Sequence, residues 1–141
     1  MAREKLSFPE RYLFTTEIAV RITDINYGGH LGNDSVLTLV HEARVQCLQH
    51  FGFTEADVAG AGIIMTDAVI VFRHEGFYGD VLRIDVAVQD FSRTGCDFVF
   101  RLTAKKSGKE IALAKTGIAF FDYKSRKVVA VPTAFVEIVK K

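Results

Sequence analysis

The second half of the chain contains four apolar segments that are separated by turns of only a few residues. In one of them Leu82 and three further aliphatic residues occupy alternate positions, which is typical of a strand with one buried face. Turns as short as "SRTG" and "KSGKE" join antiparallel neighbours, because parallel strands need a crossover of a dozen or more residues. With one earlier strand-like segment, the pattern predicts a five-stranded antiparallel sheet. The predicted strands are residues 11–22, 63–74, 80–91, 96–106 and 110–123.

A long helix is predicted between the first two strands, because apolar residues recur there at intervals of three and four. These residues are Val36, Leu39, Val40, Ala43 and Cys47. The spacing predicts a helix over about 34–51, with Asn33 or Asp34 capping its start and Gly52 at its end. A sheet curled around one long helix is an α+β arrangement.

Two shorter helical segments are also predicted. One is a helical turn in "TEADVAGAG", residues 54–62, and the other is the C-terminal tail, where Pro132 suits a first turn. The length of 141 residues fits a single domain over residues 1–141.

Charge and cysteine content narrow the class of protein. The net charge of +1 argues against nucleic acid as a partner. Cys47 and Cys96 are far apart and in no metal or redox spacing, so two free buried thiols are expected. Neither a signal peptide nor a spanning segment is recognisable, which predicts a cytoplasmic protein with no membrane partner.

A glycine-rich loop, "DINYGGHLGN" at residues 24–33, leads into the long helix, which carries "EAR" at residues 42–44. The later stretch "FRHEGFYGDVLRI" leads into the third strand. Together these motifs resemble the 4-hydroxybenzoyl-CoA thioesterase-like family of hotdog-fold enzymes. The resemblance implies a hotdog fold, an acyl-CoA thioesterase that needs no cofactor, and a homodimer or homotetramer with sites between subunits.

The loop departs from the family pattern at the position that matters most for catalysis. The family has an acid, acting as nucleophile or general base, where this chain has Asn26, and an asparagine where it has Gly32. Asn26 cannot take up a proton, but it can orient a water or the thioester carbonyl. The alternative is a turn asparagine that bonds its own backbone.

Two further loop residues are candidates for the site. Asn33 lies where a helix begins, and the unpartnered N–H groups there can stabilise an oxyanion, as the resemblance implies. His30 can position a water or bind a substrate group, and its alternative is a structural loop residue. No metal site is predicted, because His30 and His41 lie eleven residues apart without a carboxylate at ligand spacing.

Glu42 is the best candidate for the missing base or nucleophile. It shares a polar helical stripe with Ser35, Thr38 and Gln46. It lies nine residues after Asn33, about 13 Å along the axis, so an antiparallel partner helix would have to bring it to the helix start. A sister branch of hotdog thioesterases uses a helix glutamate in this way. The alternative is an interface glutamate paired with Arg44 or another basic group.

Other acids and bases have lesser roles. Asp24 is an alternative base, although the resemblance implies a structural role. Arg93 and Thr94 in the "SRTG" turn are the expected contacts for the phosphates of CoA, with Lys124 and Arg126 as weaker candidates. An exposed turn arginine without a ligand is the alternative.

Two other functions remain open. A hydratase or dehydratase acting on a 3-hydroxyacyl thioester would use His30 and Glu42. A non-catalytic acyl-CoA binding protein would explain Asn26. The sequence does not decide the acyl group, or whether the carrier is CoA or acyl carrier protein.

Overall fold

The computed structural model describes residues 5–140 of the chain. It contains six strands, two α-helices and one 3-10 turn at Ile22–Asp24. In chain order the elements are β1 (Phe14–Ala19), α1 (Asn33–His50), β2 (Gly62–Phe72), β3 (Val81–Gln89), β4 (Gly95–Ala104), β5 (Glu110–Asp122), β6 (Lys127–Val128) and α2 (Thr133–Val139).

All strand pairs are antiparallel, and the order across the sheet is β1-β3-β4-β5-β2, with β6 paired to the end of β5. The predicted antiparallel sheet is confirmed, although it has six strands rather than five. The sixth strand, β6, consists of two residues, both exposed, and so short a strand shows no alternation of apolar and polar residues in the sequence. The first strand is also shorter than predicted, because the chain turns into the 3-10 turn soon after Ala19.

The core lies between α1 and one face of the sheet. The predicted apolar face of the helix is buried, from Val36 to Cys47, and Leu48 extends it. Opposite lie alternate residues of β3 and β4, among them Ile84, Phe98 and Phe100, which are almost completely buried. Each such side chain contributes about 1.5–3 kcal/mol by burial. This packing fixes the position of the helix start relative to the strand ends.

The two ends of α1 test the predicted caps. The helix ends as expected in a Schellman motif, in which Gly52 has φ +85° and the N–H of Phe53 donates to Leu48 O over 2.8 Å. The prediction that Asn33 or Asp34 caps the start is wrong. The N-cap residue is Gly32, whose Cβ, if it had one, would lie 2.7 Å from the Asp34 carboxylate.

The segment between α1 and β2 contains no helical turn, so that prediction is also wrong. Its hydrogen bonds close tight turns instead, with Val58 and Ala61 bonded to each other. The positive φ angles of Ala59 and Gly60 are incompatible with an α-helix. The predicted C-terminal helix is present as α2, where Phe135 is buried against Phe120 with 5.5 Å between ring centroids.

Candidate active site at the start of the long helix

The loop before α1 is closed by Asn26. Its Oδ1 accepts the N–H of Gly28 over 3.0 Å and the N–H of His30 over 3.3 Å. Its backbone N–H donates to His30 O over 2.9 Å, and Gly29 follows in the left-handed region at φ +84°. The alternative of a turn asparagine that bonds its own backbone therefore describes what the Asn26 side chain does in this structure.

The first turn of α1 offers a free donor. The N–H of Val36 donates to Gly32 O, but across residues 5–140 no hydrogen bond uses the N–H of Asn33. The Asn33 side chain accepts the N–H of Asp34 over 2.9 Å. The amide of Asn33 thus has the position and the unused donor that an oxyanion site needs, and it carries the positive end of the helix dipole.

A cavity of about 390 Å³ lies beside this helix start. It brings together three of the four predicted catalytic residues, Asn26, His30 and Asn33. The other residues that line it are Leu31, Phe72, Arg73, His74, Glu75, Gly76 and Ile111. Most of these come from the end of β2 and the connection to β3.

The connection after β2 was not assigned any role from the sequence. It reaches the cavity because the N–H of Leu31 donates to Gly76 O over 2.8 Å. The two segments approach closely at Gly76, since a Cβ on it would lie only 3.2 Å from the Cβ of Leu31. The motif "FRHEG" was visible in the sequence, but a contact between residues 45 positions apart gives no local signal.

Glu42 does not reach this cavity in its own chain. Its side chain is exposed and accepts a hydrogen bond from Gln46 over 3.0 Å, in a separate groove of about 300 Å³ that Thr38 and Arg21 also line. The suggested pairing of Glu42 with Arg44 is wrong. Arg44 is buried and forms a 2.6 Å ion pair with Glu55.

The "SRTG" turn lies at the opposite end of the sheet from the helix start. It immediately precedes β4, whereas the cavity adjoins the strand ends near Phe72 and Ile111. The ten residues of β4 separate the two ends by about 30 Å. Arg93 is exposed, and the carbonyl of Thr94 accepts the N–H of Phe120 over 2.8 Å.

Asp24 has a structural role next to the loop. Its buried carboxylate accepts bonds from the guanidinium and the backbone N–H of Arg21, the shortest of them 2.8 Å. Burial raises the pKa of Asp24, but the hydrogen bonds and charge of Arg21 outweigh it, so that the pKa lies below its ordinary value. A carboxylate fixed in this way is a poor proton acceptor.

Other reactive groups lie apart from the site. Cys47 and Cys96 are free and buried, and burial raises the pKa of each thiol to about 12. Within residues 5–140, no group of three or more His, Cys, Asp or Glu side chains is arranged to hold a metal ion. No helix in that range is long and apolar enough to cross a membrane.

Comparison with known proteins agrees with this arrangement. A family model described as the thioesterase-like superfamily matches residues 20–139. The chain belongs to that superfamily. This confirms the resemblance to hotdog-fold thioesterases and the prediction of a thioester hydrolase. A search of curated proteins gives no match.

Solved structures with the same fold include three from bacteria. A hypothetical protein from Aquifex aeolicus is 20% identical with a TM-score of 0.80, over 89% of this chain and 98% of that one. A 1,4-dihydroxy-2-naphthoyl-CoA thioesterase from Synechocystis is 19% identical with a TM-score of 0.73, over 91% and 96%. A DHNA-CoA thioesterase from Staphylococcus aureus is 19% identical with a TM-score of 0.79, over 89% and 87%. At these identities the likeness establishes the fold.

Proposed function

We propose that this protein is an acyl-CoA thioesterase that hydrolyses an acyl thioester to the free acid and CoA. The observation that carries the proposal is the unused N–H of Asn33 at the start of α1, beside a cavity that Asn26 and His30 also line. Attack on a thioester carbonyl places negative charge on its oxygen, and a helix N-terminus stabilises that charge.

The proposed assembly is a homodimer or homotetramer in which two subunits join their sheets. The strand β2 lies at one edge of the sheet and exposes about half of the Met65 and Phe72 side chains. Pairing of two β2 edges about a two-fold axis would add Phe72 of both chains to the interface. It would also bring two α1 helices side by side.

In this assembly Glu42 of the partner subunit directs the attacking water at the helix start. Two observations support this role. Glu42 lies nine residues after Asn33 along α1, and its side chain lines a groove separate from the cavity of its own chain. Arg93 and Thr94 are proposed to contact the phosphates of CoA. Because they lie about 30 Å from the helix start of their own chain, this assignment requires that they contact CoA bound at the helix start of the other subunit.

The direct test is a free-thiol assay on a panel of acyl-CoA esters. Aromatic esters belong in the panel, because one of the structural neighbours is named as a 1,4-dihydroxy-2-naphthoyl-CoA thioesterase. We expect turnover of at least one ester by protein that is folded and dimeric by light scattering. No release of thiol from any ester would refute the proposal.

A second candidate, a non-catalytic acyl-CoA binding protein, is favoured by one observation. The side-chain oxygen of Asn26 is already used by two backbone N–H groups, and no carboxylate replaces it in the loop. This candidate predicts binding of a CoA ester in calorimetry without turnover.

A hydratase would instead change the absorbance of an enoyl-CoA without releasing thiol.

A further inference from the structure

A carboxylate of the same chain lies beside His30 at the helix start. It belongs to Glu75, in the connection between β2 and β3, and its Oε1 is 3.6 Å from His30 Nε2. Both residues line the cavity that contains Asn26 and Asn33. Nothing in the loop motif or in the proposed assembly has given Glu75 a role.

The backbone holds the two segments of this pair together. The hydrogen bond from Leu31 N–H to Gly76 O joins the residue after His30 to the residue after Glu75. The imidazole also packs edge-on against Phe77, with 6.0 Å between ring centroids and an interplanar angle of 89°. The approach of Glu75 to His30 therefore follows from fixed neighbours on both sides.

The other edge of the imidazole faces the space above Gly28. A methyl group at the Cβ position of Gly28 would lie 3.3 Å from Asn26 Oδ1, 3.7 Å from His30 Cε1 and 3.9 Å from His30 Nδ1. Asn26 and the Nδ1 edge of His30 thus border the same small space, which the absent side chain of Gly28 keeps open. A water that enters this space beside Asn26 and shifts toward the ring would reach hydrogen-bond distance of His30 Nδ1.

We propose that Glu75 is the positioning residue for His30, and that His30 accepts the proton of the attacking water. The carboxylate of Glu75 accepts the Nε2–H of the imidazole, which leaves the lone pair of Nδ1 directed at the space above Gly28. The 3.6 Å separation is longer than a hydrogen bond, and catalytic contacts of this kind tighten in the complex with substrate. A base oriented by a third group is the general arrangement for activating a nucleophile. This inference rests on the proposed thioesterase function.

The chemical step balances as follows. The water oxygen forms a bond to the thioester carbonyl carbon while its proton passes to His30 Nδ1, and the carbonyl electron pair moves to the oxyanion at the Asn33 N–H. The oxyanion then reforms the carbonyl and the carbon–sulfur bond breaks. The sulfur leaves with the electron pair and takes the proton from Nδ1, which yields the acid, the free thiol and a neutral imidazole. Glu42 of the partner subunit orients the water by accepting a hydrogen bond from its second hydrogen, which stays on the product acid.

A double-mutant cycle tests the pair. We expect Glu75→Gln to lower kcat about 10–100-fold with KM little changed, which is the usual cost of losing a group that orients an active residue. We expect His30→Asn to cost more. In the His30→Asn background, Glu75→Gln should change kcat by less than about twofold, because a residue that acts through His30 has nothing left to orient. Glu17→Gln is the matched control, since this exposed glutamate also pairs with a cation, Lys105, and neither residue lines the cavity beside the helix start.

Two kinetic results would overturn the inference. One is a Glu75→Gln enzyme with kcat within twofold of wild type, and the other is a full effect of Glu75→Gln in the His30→Asn background. Thermal unfolding of each variant excludes misfolding, and Glu75→Asp should retain part of the activity. If wild-type protein turns over no ester, the proposed function fails separately. Nitrogen NMR of the His30 ring still tests the pair: Glu75→Gln replaces a charged acceptor with a neutral one and should shift the Nε2 resonance, and an unchanged resonance would overturn the inference.

Discussion

Glu75 and Asp85 each lie beside a basic side chain, but their surroundings differ. Asp85 is 2% exposed, on the face of the sheet away from α1, and both its oxygens are used. They accept bonds from Thr15 Oγ1 (2.8 Å), Arg83 (2.9 Å) and Arg101 (2.8 Å). Such a carboxylate is fixed and shielded from any substrate.

Glu75 is 61% exposed, and its one ion-pair contact, to His30, is 3.6 Å long. The contrast separates two uses of a charged side chain. A buried carboxylate with every lone pair occupied maintains the fold, whereas an exposed one beside a histidine in a cavity remains available for chemistry.

The largest expected effect is on activity and involves Glu42, which is proposed to act from the partner subunit. We expect Glu42→Gln to lower kcat by about two to four orders of magnitude, the usual range for a group that activates the nucleophile. Its unfolding free energy should stay within about 0.5 kcal/mol of wild type, because an exposed side chain is replaced. Steady-state kinetics and urea unfolding measure both. A Glu42→Gln enzyme with near-normal kcat would remove Glu42 from the site.

The reverse behaviour is expected of Asp85. Asp85→Ala should lower the unfolding free energy by about 2–4 kcal/mol, since it leaves two arginines and Thr15 without their shared acceptor. The kcat of the folded fraction should not change. Urea unfolding and kinetics at low temperature test this, with Arg83→Gln as a milder control because Arg83 is 46% exposed. A large loss of kcat with normal stability would show that Asp85 serves the reaction and not only the fold.

The ion pair between Glu55 and Arg44 of α1 should make the stability of the fold depend on pH in acid. Burial raises the pKa of Glu55, but the bonds and charges of Arg44 and His41 outweigh it, so that the pKa lies below its ordinary 4.5. A carboxylate with a lowered pKa stabilises the fold fully above its unfolded value, and this contribution is lost as pH falls through the folded value. Glu55→Gln should therefore flatten the fall in stability below about pH 4.5. An unchanged acid limb in urea unfolding would refute this.

The smallest expected effect is that of Asn26→Asp. An aspartate can accept the same two backbone N–H groups, so the unfolding free energy should change by less than about 0.5 kcal/mol. If His30 and Glu42 already serve the site, kcat should change by less than about tenfold. An inert wild-type protein that gains turnover with Asn26→Asp would instead support the non-catalytic binding protein.

The sequence predicted those parts of the fold that rest on local periodicity. Alternation in the strands and the three-to-four spacing in α1 are consequences of burial on one face, and burial is visible in residue type. The cap at Gly32 was missed because a polar residue is the common choice there, while here the carboxylate of Asp34 occupies the space of a side chain. The segment after Gly52 was misjudged because backbone angles such as that of Ala59 are not encoded in hydrophobicity.

The site was predictable to the extent that it lies in one loop. Asn26, His30 and Asn33 are close in sequence, and the cavity confirms that they lie together. Glu75 could not be found in this way, because its approach to His30 depends on strand pairing and on one hydrogen bond at Gly76. The role of Glu42 depends on a second subunit and stays a prediction.

The burial of both cysteines means that the protein's own thiols should not interfere with a free-thiol assay. Thiol reagents attack the thiolate, and at neutral pH almost none of Cys47 or Cys96 is in that form because the pKa of each lies near 12. Colour that develops with Ellman's reagent in native samples should therefore come from released CoA alone. The two protein thiols should react only after unfolding, so that one reagent counts product in the folded enzyme and unfolded chains in a damaged preparation.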